Sequence, residues 1–134
     1  MDMICDSLQS SLGQLYTCTE MDRYIRIRTP FLYPDGDVID VYQSRTAEGT
    51  SLTDLGESLR WLRDQGLGQR RTTKQARLID DIVLNHNVEL FKGMLLVRVG
   101  EAEQLASPLT RLVQACVRVA DLWFTFRTRT IEST

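Results

Sequence analysis

The chain has 134 residues, 43% of them hydrophobic and 25% charged, close to ordinary globular averages and sufficient for one core. Disorder is therefore not the default, and no apolar run approaches the roughly 20 residues that cross a bilayer; Met94–Val97, the longest candidate, stops at Arg98. Net charge is only −2, yet between Arg60 and Arg77 six cations stand against one acid, Asp64, so a segment of +5 sits in a body of −7.

The N-terminus carries Asp2 and Asp6 where a secretory signal would be basic, and no cleavage pattern follows. Cys5, Cys18 and Cys116 are far apart and form no C-x-x-C, so neither a disulfide framework nor a zinc knuckle is expected. A reducing, cytoplasmic setting follows. With no repeat or linker, residues 1–134 read as a single domain.

Ile4, Leu8 and Leu12 make one helical stripe, with Gly13 as a stop. Leu15–Thr19 and Tyr24–Arg28 predict a hairpin with one dry face and one face carrying Arg26 and Arg28. A connection is predicted from Thr29-Pro30 through Tyr33-Pro34-Asp35-Gly36, where proline fixes φ and glycine supplies a positive one. Val38–Tyr42 is a third strand and Thr50–Thr53 a short fourth, antiparallel because the links are too short for crossover helices. The period then changes to helical. Asp54 and Glu57 have capping-box spacing ahead of Leu55, Leu59 and Leu62, and this helix should end near residue 66. Thr72 or Thr73 caps a second helix with Ala76, Ile79, Ile82 and Val83 as its stripe, ended by Asn85-His86-Asn87. Val88–Phe91 and Met94–Val97 flank Lys92-Gly93 as another hairpin. Ser107-Pro108 opens the best helix, whose stripe runs from Leu109 through Leu112, Val113, Cys116, Val119 and Ala120 to Trp123.

Tyr33–Tyr42 together with Ser51–Leu59 resembles the family called domain of unknown function 1828. Asp35, Gly36, Asp37, Ile39, Leu52, Thr53, Asp54, Gly56, Ser58 and Leu59 carry the likeness, which covers roughly residues 5–98. The resemblance implies a fold and a bacterial or prophage setting, but no activity and no catalytic residue.

Three groups of residues invite chemistry. Asp35, Asp37 and Asp40 loosely suggest a calcium loop, but its twelfth position is Thr46 where Glu is required. A two-metal hydrolase using Asp37 and Asp54 is the sharper version, although no acidic-x-Lys partner follows Asp40 or Glu89. Against both, turn and cap duties account for these acids, so no metal ligands and no cofactor are assigned. His86, the single histidine, is explained by a helix end, and Cys116 by an apolar stripe. The second group is basic: Arg60, Arg63, Arg70, Arg71, Lys74 and Arg77 could meet an anion or nucleic acid where a helix begins. Asp80, Asp81 and a whole-chain pI of 5.4 oppose it. The third is the aromatic end of the last helix, where Leu122, Phe124, Phe126 and Arg127 have the composition of an interface.

The expected architecture is α+β, an antiparallel sheet of about four to six strands with a helical pair and a long C-terminal helix packed on it. The expected function is a non-catalytic protein-interaction module, its partner another protein or a second copy. Nucleic-acid or anion binding is the alternative and a metal-dependent hydrolase the second alternative. No membrane partner is expected.

Overall fold

The computed structural model describes the backbone of residues 2–65, 72–101 and 103–132, with side chains up to residue 127. The chain opens with α1 (Met3–Ser11) and a 3₁₀ turn (Leu12–Leu15), then builds β1 (Thr17–Glu20), β2 (Ile25–Leu32), β3 (Val38–Thr46) and β4 (Gly49–Thr53). The helical pair α2 (Glu57–Asp64) and α3 (Thr73–Asn85) follows, then β5 (Glu89–Phe91), β6 (Met94–Val99) and α4 (Ala106–Glu132). The protein is α+β. Among the described residues the six strands form one sheet in the order β1-β2-β3-β4-β6-β5, every pair antiparallel. The helical pair interrupts the meander: the chain returns at the edge as β5 and turns back beside β4 as β6.

One sheet face is dry because strand residues alternate. Ile27, Ile39, Val41, Leu52, Leu95 and Val97 point inward and are buried. Over them lies α4, in contact with β2, β3, β4 and β6, while α2 packs against α4 and β6 and α3 against α4 and β5. Leu112, Val113, Cys116, Val119 and Ala120 on α4 complete the core. The other face carries Arg26 opposite Tyr42, Arg28 opposite Asp40, and Ser51 opposite Arg98. No helix among the described residues is long and apolar enough to cross a membrane.

Four local expectations are corrected. The first strand begins at Thr17, because Leu12–Leu15 closes a 3₁₀ turn instead of extending. Thr29-Pro30 does not begin a connection. β2 runs through Pro30 to Leu32 with its register shifted between Arg28 and Leu32, and β3 reaches Thr46. Proline is tolerated there because β1 pairing stops at Thr17–Arg28, so no neighbour needs its missing N–H. Thr29 bridges the irregularity, donating to the Ile39 carbonyl at 2.8 Å and accepting from the Phe31 N–H at 3.2 Å.

The third and fourth corrections concern the start of α2. Asp54 is not its N-cap; Gly56 is, with φ 83° after Leu55 at φ 55°. Two successive left-handed residues push the helix start beyond Asp54, so Leu55 lies outside the helix, and Ser58, Leu59, Trp61 and Leu62 are its buried residues. Glycine is required at 56 because a Cβ there would also sit 3.2 Å from the Gly93 carbonyl. Other predicted ends agree with the structure. Thr72 and Gln75 form a reciprocal capping box at α3, and Asn87 turns the chain out of that helix at φ 55°. Lys92 and Gly93, with φ 52° and 80°, make the tight β5–β6 turn.

Candidate functional site

At one end of the sheet the β2–β3 loop meets the β4–α2 loop, and a polar cleft of about 550 Å³ opens between them. Arg28, Asp40 and Tyr42 form its floor on the solvent face of the sheet, with Asp37 and Leu55 on the two loops and Glu57 and Arg60 on the first turn of α2. The β2–β3 loop is a closed hydrogen-bonded unit. The Tyr33 N–H donates to the Asp37 carbonyl at 2.8 Å, the Gly36 N–H to the Tyr33 carbonyl at 2.9 Å, and the Asp37 N–H to Asp35 Oδ1 at 3.0 Å. Asp35 and Asp37 stand close together. Asp35 is held below the usual carboxylate range chiefly by the buried Trp61 indole N–H, which turns toward it without reaching ordinary hydrogen-bond geometry. The Asp35 charge then pushes Asp37 up.

Behind the cleft wall Asp54, Tyr33 and Ser58 are hydrogen-bonded. Asp54 is completely buried, its Oδ1 accepting from the Gly56 N–H at 2.8 Å and the Leu95 N–H at 3.0 Å, its Oδ2 from the Ser58 N–H at 3.0 Å. It pins the α2 loop to β6. Tyr33 Oη and Ser58 Oγ lie 3.0 Å apart, and the Tyr33 ring stacks on Trp61 with centroids 6.0 Å apart. Burial drives the Tyr33 hydroxyl and the Cys116 thiol far above their ordinary values, so both stay protonated at neutral pH. Neither is a nucleophile in this state.

The cations of the cleft have partners. Arg28 donates from Nε to Asp40 Oδ1 at 3.0 Å and from Nη2 to Oδ2 at 3.1 Å. Arg60 pairs with Glu57 through Nη1 and donates from Nη2 to the Leu55 carbonyl at 3.3 Å. Arg60 therefore belongs to the cleft rim, while Arg63 is exposed on α2 and Lys74 and Arg77 are exposed on α3. Arg70 and Arg71 lie outside the described residues. Asp35, Asp37, Asp40 and Asp54 are brought to one end of the fold, but Asp54 faces three N–H groups, and no group of acids, histidine and cysteine suited to a metal occurs among the described residues. His86 caps α3, its Nδ1 lying 2.9 Å from the Ile82 carbonyl.

The aromatic group on α4 is divided by the fold. Phe126 enters the core cluster and Leu122 packs against it, whereas Phe124 is 45% exposed, with Arg127 stacked over both Phe124 and Trp123. The larger apolar exposure is elsewhere. On α1 and the turn behind it, Ile4, Leu8, Leu12 and Leu15 are 46–79% exposed, and Phe31, Leu32 and Val38 are exposed at the β2–β3 end, beside the cleft. The stripe on α1 was legible in its spacing. Its lack of a core partner was not, since periodicity gives a face without saying what covers it.

The residues carrying the family likeness are the ones that build this end of the molecule: Asp35, Gly36 and Asp37 close the β2–β3 loop, and Asp54, Gly56 and Ser58 make the buried turn into α2. Comparison with curated proteins and with solved structures returned no match. A match to the family described as Domain of unknown function DUF1828 runs over residues 29–119, later at both ends than the resemblance suggested, leaving out α1 and β1 and reaching the buried part of α4; the chain belongs to that family.

Proposed function

We propose that this chain is a non-catalytic protein-interaction module that docks through α1 and the neighbouring apolar end of the β2–β3 hairpin. The observation that carries this is the stripe Ile4, Leu8, Leu12 and Leu15: α1 buries no residue, and its main packing among the described residues is on the 3₁₀ turn that follows it. Exposed contiguous apolar surface of this extent on a folded domain is characteristic of interaction sites. Supporting the non-catalytic part, Asp54 serves three backbone N–H groups, Cys116 and Tyr33 are held protonated inside the core, and His86 ends a helix. The three free thiols fit a reducing cytoplasm, and the prophage setting implied by the family likeness belongs to this proposal as well.

The test compares wild type with the Leu8→Asp/Leu12→Asp double variant, both tagged at the C-terminus. Association, with a partner or with itself, is expected in the wild type and lost at least tenfold in the variant, with the melting temperature within a degree or two because neither side chain is in the core. Equal association in both proteins would refute docking through α1.

A further inference from the structure

Resting on the reading of α1 as a docking element, we infer that its occupant is a second copy of this chain: α1 of each protomer lies across the apolar β2–β3 end of the other, in a twofold exchange of arms. Four observations lead there. First, α1 has nine residues and is capped, Asp2 Oδ1 accepting from the Ile4 N–H at 3.1 Å and the Cys5 N–H at 3.4 Å, yet it buries nothing. Isolated helices so short are marginal in water, so this one needs a surface to lie on.

Second, the same chain carries a matching apolar surface. Phe31, Leu32 and Val38 are 45%, 52% and 38% exposed. They sit at the end of the sheet from which α1 departs: Thr17 pairs with Arg28, and β2 continues past it to Leu32, opposite Val38. Beyond Arg28, β2 has no β1 neighbour, so this corner is open to an incoming helix. Third, α1 passes directly into the 3₁₀ turn Leu12–Leu15, and only Tyr16 separates that turn from β1. A link with so little slack favours reaching a neighbour over folding back onto the same body. Fourth, the sizes agree. These residues together expose several hundred Å² per chain, comparable with the roughly 800 Å² per partner of a standard stable interface. Because each chain supplies one arm and one seat, the contact is isologous and closes at two copies.

Sedimentation equilibrium of the full chain across protein concentration tests this. The expected result is a species of twice the 15.4 kDa chain mass, in reversible equilibrium with the monomer. Leu8→Glu in the arm and, independently, Phe31→Glu in the seat should each weaken dimerisation at least tenfold while leaving the far-ultraviolet circular dichroism of the body unchanged. The two sites guard against a variant that merely misfolds. A wild type that stays monomeric at hundreds of micromolar overturns the inference, as does a dimer indifferent to both variants. Monomeric wild type with α1 amides protected from hydrogen exchange would place the arm on its own body and equally overturn it. A monomer whose association with a different protein depends on Leu8 would overturn the dimer but leave the interaction-module reading standing; a monomer with no α1-dependent association of any kind would remove both.

Discussion

Asp54 connects three backbone segments through one buried carboxylate. Removing it leaves the N–H groups of Gly56, Ser58 and Leu95 without their partner, in a place water does not reach. Asp54→Ala is therefore expected to cost about 3 kcal/mol or more, readable as a shifted urea midpoint, and Asp54→Asn less, because one amide oxygen can still accept. A cost near zero would mean that the loop is held by something else. Asp37 offers the opposite case. Its folded-state pKa is raised by the Asp35 charge, so ionised Asp37 opposes folding: its contribution is favourable below the unfolded value near 3.8 and is lost as pH rises through the folded one. Asp37→Asn should thus raise the melting temperature at neutral pH, and the gain should vanish once both acids are protonated. Asp35 carries the reverse sign, its depressed pKa contributing stability that is lost as pH falls through it. A pH-independent effect of Asp37→Asn would contradict the repulsion between the two acids.

At the scale of elements, helix ends explain much of the architecture. α3 begins at Thr72 because its hydroxyl accepts from the Gln75 N–H at 3.1 Å while Gln75 Oε1 accepts from the Thr72 N–H at 3.0 Å. Thr72→Ala should cost about 1 kcal/mol, visible in thermal unfolding, and a null effect would show that packing alone positions α3. This box could be read from the sequence, since Thr and Gln three apart before an apolar stripe is a local signal. The superficially similar Asp54/Glu57 pair misleads for a physical reason: the left-handed Leu55 and Gly56 shift the helix start, so Asp54 accepts from Gly56, Ser58 and the β6 residue Leu95, while Glu57 pairs with Arg60, and neither side chain makes the reciprocal contact. The β2 extension through Pro30 is another case, because proline reads as a breaker unless the neighbouring strand is known to have ended.

On the scale of the whole molecule, helices cover one face of the sheet, and the other face presents Arg26, Arg28, Tyr42 and Arg98 beside their cross-strand neighbours. Of the basic segment, Arg70 and Arg71 lie outside the described residues, and Arg63 is exposed on α2. Arg60 turns to Glu57 on the cleft rim while Lys74 and Arg77 lie on a separate helix. The apolar surplus moves from the expected α4 terminus, where Phe126 turns into the core, to α1 and the β2–β3 end. That relocation changes which surface an interaction module would use.

What the sequence determined by itself was whatever short range controls: the α+β class, the antiparallel sheet with its alternating dry face, the helical stripe of α4 from Leu112 to Ala120, the Lys92-Gly93 turn, and the turn-and-helix pattern that marks the family. These rest on period, capping and φ preferences, which act over a few residues. Tertiary structure alone decided the pairing of β4 with β6, the meeting of Arg28 with Asp40 across a strand pair, of Tyr33 with Ser58 and of Asp54 with Leu95, and the exposure of the α1 stripe. Each of these joins residues distant along the chain or depends on what a face is left to touch, and a one-dimensional pattern records neither.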